Sequence, residues 1–248
     1  MTERLPAHQI AYARLRDMVL FGELAPGAAV TIEGLVARLG LGMTPVREAI
    51  RRLIAEGALQ LQGNRRVCVP RLDPRALEDL GYAREMVETR LADQALPHCT
   101  SQVIAELRTI DTALDAAIGS GDIPGYLRAN HGFHFHLYRQ AGSEVLNALA
   151  ASLWLRLGPS LRVVCAGRAP GAAGRGESAA ARGADGARLH SPDHHKDALI
   201  ALEAHDAAAL HRAICGDIRQ GLANIRAGLD GGLFDKPAAG EGPGGEEG

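Results

Sequence analysis

In the segment "YLRANHGFHFHLYRQAGS", Asn130 and His134 lie one helical turn apart and share a face with Leu127, Leu137 and Ala141. Asp217 interrupts the apolar stripe of Leu210, Ile214, Ile218 and Ile225. A carboxylate facing a core is costly unless it is paired or coordinated. His195 opens the preceding helical segment, whose inner face is Ala198, Leu199 and Leu202, and His194 takes its place if the register slips by one. An amide oxygen, two imidazoles and a carboxylate on the inward faces of three helices form a donor set for Zn, Ni, Mn or Fe, with positions left for a ligand. The expectation is therefore a divalent metal site at Asn130, His134, His195 and Asp217. A hydrogen-bonded core histidine beside a capping aspartate is the rival reading. His131, His136, His194, His205 and His211 are expected to be exposed, unless the register places His194 in the site.

A second set of groups points to an anionic partner. In "TPVREAIRRLIAEGAL", Val46, Ala49, Ile50, Leu53 and Ile54 follow the 3.6-residue period and mark a buried stripe. Arg47, Glu48, Arg51 and Arg52 lie away from it, with Glu48 placed to steady Arg52 at i+4. Thr44 is the expected N-cap, and Pro45 at the first helical position leaves no amide unsatisfied. Arginine offers guanine a two-pronged donor, and a helix start suits phosphate. Arg65 and Arg66 follow in the loop "GNRR" between two alternating segments, "ALQLQ" and "RVCVP", which should turn Leu59, Leu61, Val67 and Val69 to one face. Thr44, Arg47, Arg51, Arg52, Arg65 and Arg66 are thus the candidate contacts to double-stranded DNA. Solvation of a helix face is the alternative for any one arginine. Low aromatic content argues against stacking single strands.

The elements that must position these groups are mostly helices. Helical patterns cover Ala7–Phe21, Ile32–Leu39 and the segment from Thr44 to Gly57, with Pro26-Gly27 turning the chain and Thr31 capping the second helix. Gly40 and Gly42 close that helix. With the hairpin, this order is a winged helix-turn-helix. Beyond Asp73 nothing reads as a strand, and six helices at about 74–96, 100–118, 122–141, 143–165, 192–203 and 206–227 suggest an antiparallel bundle. The fold class is mainly α.

Charge divides the chain in the same place. Residues 1–72 hold ten arginines and six acids, a net +4, which leaves −6 for the rest of a chain whose net charge is −2. A basic head on an acidic body fits an anionic partner for the head alone. The expected organisation is a DNA-binding domain at 1–72, a helical domain at 73–228 and a disordered acidic tail at 229–248. The Gly-, Ala- and Arg-rich stretch 165–192 is expected to be a long loop. Four scattered cysteines without paired spacing fit reduced thiols in a cytoplasmic protein. No signal peptide is recognised, and no apolar run approaches the roughly 18 residues a membrane helix needs.

The head, in "GELAPGAAV", "LVARLGL" and "TPVREAIRRLIAEGAL", resembles the N-terminal domain of GntR-family bacterial transcription regulators over about residues 7–70. Those regulators usually read Val-Ser-Arg before the Thr-Pro-Val-Arg motif. Here Leu41, Gly42 and Met43 stand there, so a hydroxyl and an arginine are missing, and Arg66 occupies a wing position where glycine is common. From about 75 to 225, "NHGFHFHLYRQAGS" and "HKDALIALEAHDAAA" resemble the FCD effector domain of the FadR subfamily.

That resemblance implies a metal site begun by Asn130 and His134 and continued by His195, with a His expected 22 residues later. Asp217 stands at that position instead, a change of charge and hardness. It also implies that Arg84, in "DLGYAREMVETR", points into the cavity toward a small carboxylate effector, although pairing with Glu88 on the surface is open to it. It implies dimer contacts through the bundle, and a homodimer also follows from operator geometry, since one winged helix reads only a few base pairs. The resulting expectation is a ligand-controlled transcription regulator that is not an enzyme. A metal-dependent enzyme with an accessory nucleic-acid-binding domain, or a regulator without metal, are the alternatives.

Overall fold

The computed structural model describes residues 5–63, 66–168 and 193–234. The order is α1 (Ala7–Leu20), β1 (Ala29–Val30), α2 (Ile32–Leu39), α3 (Met43–Ala55), β2 (Gln60–Leu61), β3 (Val67–Cys68), α4 (Pro74–Ala95), α5 (Ser101–Ser120), α6 (Ile123–Arg139), α7 (Glu144–Arg168), α8 (His194–Glu203) and α9 (Ala207–Asp230), with a short 3-10 turn at Leu96–His98. No strand follows Cys68 among the described residues.

The chain divides into two compact units. One comprises Met1–Leu77, Trp154–Val164 and the chain from Ile225; the other comprises Glu78–Leu153 and Cys165–Asn224. In the first, α1 packs on α3, and Leu15, Val19, Val46 and Leu53 are fully buried between them. Thr31 caps α2 by accepting from the Gly34 amide, and Gly40 ends that helix at φ 64°, a left-handed backbone that glycine adopts without penalty.

The helix α3 begins two residues earlier than expected, at Met43 rather than Pro45. Gly42 is its N-cap and Thr44 lies inside the first turn, exposed, because an extended Gly42 serves the chain entry without a side-chain cap. The sheet has a third strand that the sequence pattern did not reveal. The order is β1-β3-β2, all antiparallel, with Ala29 and Gln60 both opposite Cys68. Two-residue strands are too short for alternation to register. Accordingly the wing does not turn all four expected residues to one face. Leu59 and Val69 are buried, Val67 is half-buried and Leu61 is 60% exposed.

The same unit takes in the middle of α7. Arg156 donates to the Glu56 carbonyl at the end of α3, and Gly158 lies directly against the Leu20 carbonyl, where a Cβ would overlap that backbone oxygen. Gly158→Ala is therefore expected to destabilise the protein by about 1–3 kcal/mol, because neither backbone can give way. Gly119→Ala on α5, where a new Cβ meets nothing, is expected to be neutral or stabilising. Equal melting temperatures for the two variants would refute the close packing.

In the second unit, α5 packs along α6 and also against α8. Its ends are set by sequence. Thr100 caps α5, Asp122 caps α6 and Asp193 caps α8, each accepting a backbone amide of its first turn.

Several expectations change. Cys165–Arg168 belong to α7, so the long loop does not start at 165, and the rest of that stretch lies outside the described residues. The tail expected to be disordered begins as the last residues of α9 and a turn through Phe234, whose carbonyl accepts from Arg71; beyond it the chain lies outside the described residues. Within α7, Glu144–Gly167 is long and apolar enough to cross a membrane by length and composition, at mean hydropathy 1.2. Leucine and alanine mask its arginines in an average. One side of it is buried, at Ala150, Trp154, Leu157 and Val164, while Val145 and Leu149 are exposed.

Candidate functional site

The four groups singled out in the helical half come together. From α6, Asn130 is buried and His134 is 0% exposed; from α8, His195 is buried. Asp217 reaches them from α9. His134 Nε2 is 3.0 Å from Asp217 Oδ2, His195 Nε2 is 3.0 Å from Asn130 Oδ1, and His195 Nε2 is 3.9 Å from Asp217 Oδ1. The α6 spacing of four and the single turn between Ile214 and Ile218 aim these side chains inward. His195, not His194, holds the third position. The His194 ring instead covers Gly216, where any Cβ would strike it.

A hydrogen-bonded chain leads from Arg84 to His134. Arg84, 2% exposed, is clamped by Glu88 through Nε and Nη2. Tyr138 donates its hydroxyl proton to Glu88 Oε2 at 2.8 Å. The Tyr138 oxygen, 3.1 Å from His134 Nδ1, is then the acceptor of the Nδ1–H. The other ring nitrogen, Nε2, is the atom turned toward Asp217. Second-sphere partners of this kind set the tautomer of metal-ligating histidines.

Electrostatics call for positive charge, a proton or a cation, beside Asp217. Burial works to raise the Asp217 carboxyl, but His134 beside it, with His195 and Arg84, outweighs burial and holds it well below the usual carboxylate range. Burial pushes the His195 imidazole down, against the pull of Asp217. Burial, with Glu88, raises the Tyr138 hydroxyl well above its ordinary value, so it stays a donor.

The cluster fits a divalent cation. His134, His195 and Asp217 each offer a ligand atom within 4.8 Å of the others. Bonds of about 2.1 Å place neighbouring donors on one ion about 3 Å apart. Two acceptor atoms at 3.0 Å, Nε2 and Oδ2, match that edge and need a cation or a proton between them.

Arg84 differs from its expected setting. It does pair with Glu88, but inside the bundle rather than on the surface, because Tyr138 and His134 enclose the pair. The other histidines divide. His205 and His211 are exposed as expected, whereas His131, His136 and His194 are half-buried, His136 lying 2.9 Å from Glu106. Two residues beside the cluster escaped the sequence reading although each leaves a trace. Tyr138 lies four residues after His134, and Asp111 interrupts the buried stripe of Leu107 and Leu114 on α5, as Asp217 does on α9.

In the head, Arg47 and Arg51 are exposed on α3 and make no ion pair or hydrogen bond among the described residues. Arg52 is occupied. It pairs with Glu56 at 2.9 Å, not with Glu48, and its guanidinium stacks on the Tyr12 ring at 3.7 Å. Burial of Glu56 and its bond from Tyr12 favour that partner over the solvated Glu48. Arg66 is exposed, and Arg65 lies outside the described residues.

Comparison with known proteins follows this division. The profile described as "Bacterial regulatory proteins, gntR family" matches residues 7–69, and the one described as "FCD domain" matches 79–220, more than half of the chain. The HTH-type transcriptional regulator McbR of Escherichia coli K12 is 31% identical over 147 residues, which are 59% of this chain and 66% of McbR, so the chain spans just under two thirds of that relative. Among solved structures, E. coli McbR/YncC superposes with a TM-score of 0.78 at 24% identity, covering 91% of this chain and 100% of that one. A GntR regulator from Rhodococcus sp. RHA1, itself described as a putative transcriptional regulator, gives 0.67 at 22% identity, covering 89% and 97%. At these identities the superpositions speak for the fold alone. The gntR profile and the curated relatives are described as transcription regulators, not enzymes. The chain is thus a member of the GntR family of bacterial regulatory proteins, with an FCD domain following its winged head in sequence.

Proposed function

We propose that the protein is a cytoplasmic, homodimeric transcription regulator whose operator affinity is set by a small carboxylate bound beside a divalent metal in the FCD domain. Functionally, residues 1–72 form the DNA-binding domain and 73–228 the effector domain. Arg47 and Arg51 on α3 read base edges in the major groove, Thr44 and the first amides of α3 meet phosphate, and Arg65 and Arg66 on the wing meet the backbone. Arg52, tied to Glu56 and Tyr12, contributes mainly by holding α3 in place.

Asn130, His134, His195 and Asp217 hold the metal. When bound, the ion supplies a Lewis-acid anchor for one carboxylate oxygen of the effector. Arg84 spends Nε and Nη2 on Glu88, so its contribution reaches the effector chiefly through the Glu88–Tyr138–His134 chain. A coupling of about 1–3 kcal/mol between effector and operator would change affinity roughly 5- to 150-fold.

The observation that carries this reading is the 3.0 Å approach of His134 Nε2 to Asp217 Oδ2 within a converging donor set. The same contact supports a second reading, in which a protonated His134 pairs with Asp217 and no metal is needed. Metal analysis of the purified full chain separates them, alongside Asn130→Ala and His134→Ala. About one metal per chain, lost in both variants together with the response of operator binding to organic acids, is the expected result. Wild-type protein without metal that still responds to effector favours the ion pair.

A further inference from the structure

Behind His195, on the side of α5, lies a carboxylate the site above does not use. Asp111 is 6% exposed, and its Oδ1 is buried with no hydrogen-bond partner. Its neighbours are otherwise satisfied. Asp115 and Asp193 share the Lys196 ammonium at 2.9 and 2.5 Å, and Asp193 also caps α8, yet Asp111 makes no ion pair among the described residues. Asp111, Asp193 and His195 each bring a ligand-type atom within 4.8 Å of the others. A buried, unpartnered carboxylate is expensive, and each such group calls for an explanation.

His195 supplies it. Its Nε2 faces Asn130 Oδ1 at 3.0 Å, so in the metal-free protein a neutral ring carries its hydrogen on Nε2 and donates to that amide oxygen. Coordination through Nε2 needs the lone pair there instead. The ring hydrogen must then sit on Nδ1, which requires an acceptor of its own. His134 has such an arrangement through Tyr138; near His195 stand two carboxylates, Asp193, which already takes up Lys196 and caps α8, and Asp111, whose Oδ1 has no partner.

We propose that Asp111 is a positioning residue for the metal site, an outer carboxylate that accepts the Nδ1–H of His195, directly or through one water, in the metal-loaded state. The proposal rests on the metal reading above. It assigns Asp111 a cost in the metal-free protein that is offset when the ion is bound.

The test is titration of the metal-free full chain with Zn2+ alone and with Mn2+ alone, in wild type, Asp111→Ala and Asp111→Asn. Alanine is expected to weaken metal affinity about 10- to 100-fold, with asparagine, which retains an acceptor oxygen, in between. The melting temperature of the metal-free protein should stay unchanged or rise in Asp111→Ala, a sign that a merely structural aspartate would reverse. Nitrogen chemical shifts of His195 should report a hydrogen on Nδ1 in loaded wild type and a perturbed signal in loaded Asp111→Ala. Unchanged affinity in Asp111→Ala overturns the proposal while leaving the metal site standing. So does a stoichiometry of two ions in wild type falling to one, which would make Asp111 a ligand of a second ion. A wild type that takes up neither metal removes the site itself, and the role of Asp111 with it.

Discussion

Arg47→Ala combined with Arg51→Ala is expected to weaken operator binding by about 2–6 kcal/mol, taking about 1–3 kcal/mol for each base-reading arginine. Both side chains are exposed on α3 and unengaged among the described residues, so their removal should disturb DNA contacts rather than the fold. They lie one turn apart and would meet neighbouring base pairs, so each single variant should relax preference at its own position. Arg52→Ala provides the contrast. It loses the Glu56 pair and the stacking on Tyr12, and its effect should show in the melting temperature as well as in affinity. Binding measured on matched and altered duplexes at several salt concentrations reads all three. If the double variant merely lowers the salt slope evenly across sequences, both arginines are phosphate contacts. If it binds like wild type, α3 does not face the groove.

The second large effect is on stability. Glu88→Ala leaves Arg84 buried with its principal carboxylate removed and deprives the Tyr138 hydroxyl of its acceptor. Breaking one partner of a buried ion pair costs about 3–5 kcal/mol. In a chain of this size that corresponds to a fall in melting temperature of roughly 6–20 °C. Burial opposes the charge on Arg84, and its attraction to Glu88 outweighs that, which is why the partner matters. Replacing both residues, Arg84→Met with Glu88→Leu, should recover most of the loss, because an apolar pair has no charge to desolvate. Metal affinity should not recover, since Tyr138 would still lack the carboxylate that orients it toward His134. A loss below about 1 kcal/mol in Glu88→Ala would mean that solvent reaches Arg84.

Much of this protein was legible because its helices are long and strongly patterned. Asn130 and His134 at i and i+4, and Asp217 inside an otherwise apolar stripe, could be placed on inward faces by period alone. Breaks in a stripe are informative because burying a polar group is costly, and the same rule applied to α5 would have exposed Asp111. Short elements resisted. The strands of the wing hold two residues each, too few for alternation, and Leu61 faces solvent where the pattern turned it inward.

The amino-acid order by itself determined the helix succession, the winged head, the basic surface of α3 and the four donors, since each follows from local spacing and local charge. Tertiary packing alone decided which partners those groups meet. It buried the Arg84–Glu88 pair inside the bundle, joined Tyr138 to Glu88 and His134 to Asp217, set Tyr12 against Arg52 and Glu56, and stranded Asp111 beside His195. The reason is physical. A side chain's direction is fixed by its own turn of helix, but its partner comes from another segment many residues away, and only folding brings the two within bonding distance.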